Sequence, residues 1–211
     1  MQIVSREHRE ERCDVPVEPP PPLSNPRAAR TRQALYDAAA RLFVDRGYED
    51  TTMANIAEAA GTSRRTAFNH FPNKGDIPML WVRQMADSAI DVVEHGGTDD
   101  VAEGVRAYFR VISEAVESEP ELSRQMMLGW TAALGPARYE SQLLADIAPM
   151  LRDGQEHGQI DRGADVAVAA RALSDVLQGA VFRWVREPDS VLHERVDSAI
   201  ALVLRAITTR D

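Results

Sequence analysis

From Leu35 to Ile207 the apolar residues of this chain recur at steps of three and four, and no alternating stretch of useful length breaks the pattern. That spacing is one face of an α-helix, whereas a half-buried strand needs strict alternation. The expected fold class is all-α, with about nine helices. At 211 residues the chain can bury a core without disulfides or metal. Its single cysteine, Cys13, can form no internal bridge, which fits a reducing compartment. Charges cut every apolar run short of the roughly 18 to 20 residues of a membrane span, and the first residues lack the apolar centre of a secretory signal. The expectation is a soluble cytoplasmic protein with no membrane partner.

Local punctuation divides the chain into three. Residues 1–25 carry a charged run and then PVEPPPPLSN, whose prolines fix φ and remove donors, so a disordered tail is expected there. Ser24 or Asn25 can cap a first helix carrying Leu35, Ala39 and Phe43 and ending at Gly47. Thr51 or Thr52 caps a second, Gly61 stops it, and a third starts after Thr62 or Ser63 and cannot pass Pro72. Asn73, with Asp76 three residues on, is expected to cap a long fourth helix. The boundaries expected are a head over 26–85 and a helical C-terminal domain over 86–211.

The head holds the chemistry. Two short helices joined by a turn containing Gly form the helix-turn-helix pattern. The third helix opens Thr62-Ser63-Arg64-Arg65-Thr66, which sets hydroxyls and two guanidinium forks at a positive helix end. Arginine can pair with both acceptors of a guanine edge. Phe68, Asn69 and His70 follow one turn later. Two adjacent arginines alone more often belong to an ordinary capped surface helix with solvated guanidinium groups.

Local charge shifts the balance between the two. The whole chain is at -9, which argues against nucleic acid. Residues 27–76, however, hold eight basic side chains against six acids, +2, while residues 77–211 hold 13 against 22. The acidity therefore belongs to the remainder, and a positive head can hold phosphates in a salt-sensitive way.

The stretch TTMANIAEAAGTSRRTAFNHFPNKGDI, extended back through RQALYDAAARLFVDRGYED, resembles the signature of the tetracycline-repressor (TetR) family of bacterial transcriptional regulators. The resemblance covers roughly residues 27–85. It implies phosphate contacts at Thr52 and Lys74 and a recognition helix led by Thr62 to Thr66. Phe68 departs from the tyrosine usual in the family and lacks its phosphate-binding hydroxyl; Ala67 and Asn69 also depart, so no operator sequence is carried over. A small, mostly hydrophobic ligand is implied for the C-terminal domain, with Phe109, Met126, Met127, Trp130 and Met150 as expected lining, although such residues at helical spacing, taken alone, more often form a core. The resemblance also implies a homodimer through the last two helices, involving Leu173, Leu177, Val181, Leu192, Val196, Ile200 and Val203, and a palindromic double-stranded operator. The expected function is a ligand-released repressor; a small-molecule binding protein with a vestigial head is the alternative.

No catalytic set accompanies this. There is no Gly-rich phosphate loop, HExxH or Gly-x-Ser-x-Gly elbow, and His8, His70, His95, His157 and His193 are scattered. Asp146 and Asp153 read as solvated. No enzyme activity, metal site or cofactor is expected.

Overall fold

A computed structural model describes residues 25–134, 139–187 and 191–209. The tail expected over residues 1–25, with Cys13, lies outside the described residues apart from Asn25. Among the described residues there are nine helices: α1 (Pro26–Arg46), α2 (Met53–Ala59), α3 (Arg64–His70), α4 (Asp76–His95), α5 (Val101–Ser118), α6 (Pro120–Leu134), α7 (Tyr139–Glu156), α8 (Val166–Arg186) and α9 (Leu192–Ile207). The all-α expectation holds. The extended pairing among these residues is a single bridge, Ile160 to Thr208. No described helix is long and apolar enough to cross a membrane.

The helix ends follow from their caps. The Asn25 side chain accepts from Arg27 N at 2.9 Å, and Pro26 occupies the first turn, where its missing N–H is no loss. Gly47 takes φ +90°, a conformation that side chains with a Cβ rarely adopt, and returns its N–H to Phe43 O. α4 starts later than expected. Asn73 N does donate to Asp76 Oδ2 at 2.7 Å, but residues 73–75 turn first and the cap position falls to Gly75, which has no side chain to bond. The expected boundary between residues 85 and 86 lies inside this one continuous helix.

α4 and α9 flank α5, and α8 lies between α7 and α9. This arrangement changes the reading of the last two helices. Leu173, Leu177, Leu192 and Ile200 are fully buried within the single chain, and Val196 and Val181 nearly so. A partner cannot touch side chains that their own subunit already covers, so of the seven expected contacts only Val203 stays partly accessible. The large apolar groups that α8 and α9 leave in water are Val168 and Leu202, about 63% and 62% exposed. Asp146 is also corrected: it is half-buried and accepts the hydroxyl of fully buried Tyr108 at 2.7 Å, because a phenol closed off from water needs an acceptor.

Charged groups fasten α9 to α5. Arg106 makes a two-pronged pair with Asp197, at 2.9 and 2.8 Å. Glu117 accepts from Leu192 N and His193 N at the start of α9 and from His193 Nδ1 at 2.6 Å. The Glu117 hydrogen bond raises the His193 pKa above 6.5. Stabilisation from the imidazolium is therefore fully present below about pH 6.5 and is lost as pH rises through the raised value. Raising the pH from 6 to 8.5 should lower the Tm of the wild type more than that of Glu117→Gln; parallel thermal melts would remove His193 from the account.

Candidate nucleic-acid interface

α2 and α3 are each seven residues, too short to persist alone, so their geometry depends on caps and on what they bury. At the start of α2, Thr52 Oγ1 accepts from Asn55 N, and Asn55 Oδ1 accepts from Thr52 N, a reciprocal capping box. The Thr52 hydroxyl lies 2.7 Å from that same Oδ1. It is exposed as expected, but its donor is already in use for the cap. Gly61 turns the chain at φ +63°, and Thr62 N returns to Ala57 O at 2.9 Å. Ser63 caps α3 by accepting from Thr66 N at 3.1 Å.

α3 then sorts its residues by side. Ala67 and the capping Phe71 are fully buried. Ser63, Arg64, Arg65, Phe68 and Asn69 are exposed, and Thr62, Thr66 and His70 are half-buried. At about 100° per residue, Phe68 lies about 40° from Arg64 and about 60° from Arg65, so it stands between them. Among the described residues neither arginine forms an ion pair, which leaves both guanidinium groups presented to solvent. Burial, and then the nearby Arg32 charge, lower the His70 pKa below 6.5, so the imidazole is neutral near pH 7.

Lys74 is placed differently from the sequence reading. Its ammonium donates to Tyr48 O at 2.6 Å and Glu49 O at 3.3 Å, and lies 4.1 Å from the centre of the Tyr48 ring. Desolvation lowers its pKa. Lys74 thus ties the α1–α2 turn to the start of α4, with at most its third donor turned outward.

Tyr48 is a residue that sequence reasoning missed. Its N–H donates to Gln125 Oε1 at 2.8 Å, and its ring covers Gly129, both on α6. An isolated glycine inside a helical pattern was the available signal for a close approach. One tyrosine therefore joins the head, the start of α4 and the C-terminal helices.

Phe109, Met126, Met127 and Trp130, four of the five residues expected to line a ligand cavity, belong to one buried cluster, and Met150 packs against it. Met127 lines a cavity of about 20 Å³ with Trp81, Met85, Ile112, Gln178 and Val181, between α4, α5, α6 and α8. That volume holds about one water. Phe109 and Met126 are spent on close packing, with Phe109 edge-on to Tyr108 at 5.5 Å. Trp130 lies 5.9 Å from the Phe182 ring, and the Met150 methyl packs against Gly104. Val181, expected at the dimer contact, faces this cavity instead.

Residues 35–77 match the profile of bacterial regulatory proteins, tetR family. The repressor AcnR of Corynebacterium glutamicum is 32% identical over 185 residues, covering 86% of this chain and 94% of AcnR. The chain belongs to the tetR family. It is a sequence-specific, DNA-binding transcriptional regulator. Two solved structures share its fold at 26% identity. The FadR repressor of Thermus thermophilus, in complex with lauroyl-CoA, matches with a TM-score of 0.66, covering 85% of this chain and 96% of FadR. SmeT, repressor of the Stenotrophomonas maltophilia multidrug efflux pump SmeDEF, matches with a TM-score of 0.63, covering 84% and 90%. As a tetR-family protein the chain comes from a group of regulators, not enzymes. Among its described residues no cluster of three or more His, Cys, Asp or Glu could hold a metal.

Proposed function

We propose that this tetR-family regulator acts as a ligand-released repressor. A twofold dimer would place the α3 helices in successive major grooves, about 34 to 36 Å apart, over a palindromic operator. Residues 26–85 are the reading head and residues 86–211 the sensor and dimer contact. Arg64, Arg65 and Asn69 face the base edges, with Thr62, Ser63 and Thr66 at the leading turn and Thr52, His70 and Lys74 near phosphates. The partner meets α8 and α9 on the side of Val168, Leu202 and Val203. The lauroyl chain of the lauroyl-CoA bound to the similar FadR supports a ligand with a large apolar part here.

The carrying observation is the apolar seam between α4, α5, α6 and α8, which closes around about 20 Å³ and whose α4 wall begins at the helix-turn-helix. A ligand larger than one water must separate those walls. It therefore favours a state with a different α4 and a different head separation, which is the differential affinity that coupling requires.

The test is selection of bound duplexes from a randomised library by the full-length chain. An inverted repeat with salt-sensitive affinity is expected. Arg65→Ala should weaken binding to the selected sequence by about 1 to 3 kcal/mol and relax its discrimination. Lys74→Ala should weaken all sequences alike. A folded dimer that enriches nothing would end the repressor reading.

A further inference from the structure

Phe68 is about 48% exposed, the large apolar side chain that α3 leaves in water while it buries Ala67 and Phe71. It stands between Arg64 and Arg65 on the outward face, and it has no hydroxyl with which to bond a phosphate. In the major groove the apolar group on a base edge is the thymine 5-methyl. The flanking guanidinium groups, which suit phosphate and guanine acceptors, hold this face against a duplex. We propose that Phe68 is a specificity-determining residue that reads a thymine methyl in each half-site; this rests on the DNA-reading role given to α3 above. One helical turn, about 5.4 Å, separates Phe68 from the arginine pair. At about 3.4 Å per base pair the thymine lies one or two base pairs from the guanine that an arginine reads.

Deoxyuridine removes the methyl and keeps every pairing and groove hydrogen bond, so it isolates this contact. The full-length wild type first selects its sequence from thymine-containing random duplexes. Each thymine of a half-site is then replaced singly by deoxyuridine. One position should weaken wild-type binding about fourfold, the effect of one buried methyl, and Phe68→Ala should be indifferent at that position while still preferring the selected sequence. If every single replacement leaves the wild type unchanged, the methyl is not read, while the DNA-reading role of α3 stands on the selected sequence. If Phe68→Ala remains as sensitive as the wild type, another residue reads the methyl and the assignment to Phe68 fails. Failure to select any sequence removes the DNA-reading role and this inference together.

Discussion

Gly129→Ala should lower the stability of the folded chain, although an alanine inside a helix ordinarily adds about 0.5 to 1 kcal/mol over glycine. A Cβ at position 129 would stand 2.3 Å from Tyr48 Cε2 and 2.5 Å from Cδ2, well inside contact distance. Relief would require the ring to move. Two neighbours confine the ring, Phe43 at 5.0 Å and Lys74 Nζ over its face at 4.1 Å, and Gln125 holds the backbone it hangs from through the Tyr48 N–H. Overpacking of this kind costs about 1 to 3 kcal/mol or more, which outweighs the propensity gain. A Tm lower by several degrees is expected at this chain length. The sharper measurement is a double-mutant cycle. In a Tyr48→Ala background the space is open, so Gly129→Ala should change sign and become stabilising. A stabilising Gly129→Ala in the wild type would show that the ring swings freely, and the joint between head and α6 would lose its basis. With the joint intact, Tyr48 couples α6 to the α1–α2 turn through both its ring at Gly129 and its N–H on Gln125.

That joint marks the limit of what periodicity can convey. Steps of three and four identify a helical stripe, but they do not say what covers it. The stripes of α8 and α9 were legible as apolar, and Leu173, Leu177, Leu192 and Ile200 do lie on them; the subunit's own α5, α7 and neighbouring helices cover them, so the surface left for a partner holds Val168 and Leu202. Lys74 was legible as a cation, yet its direction is set by two carbonyls about 25 residues away in sequence. The caps were the easiest to read, because Asn25, Thr52 and Ser63 bond backbone within three residues of themselves. The head was legible for the same reason: its signals are local, whereas the cavity is assembled from four helices spread between Trp81 and Val181.

The second large effect is expected at Phe71, which ends α3 at the cap position and is fully buried. Its ring also lies 5.3 Å from the Arg32 guanidinium, whose pKa is lowered by burial and then by Arg83, and whose Nε lacks a hydrogen-bond partner among the described residues. Phe71→Ala would open a cavity at a cost of about 3 to 5 kcal/mol, and would remove the aromatic face over a partly desolvated charge, worth about 0.5 to 2 kcal/mol more. Phe71→Leu keeps most of the volume and should lose far less. A seven-residue helix cannot sustain itself, and the fully buried anchors of α3 are Ala67 and the adjoining Phe71. The loss should therefore appear first in α3 and only then in the whole chain. Hydrogen exchange of the α3 amides in Phe71→Ala should speed up under conditions where α5 and α8 remain protected, and operator binding should vanish while the C-terminal helices still melt cooperatively. Uniform loss of protection across all helices would instead make the head and the C-terminal helices a single cooperative unit, with no separate step at which α3 comes free.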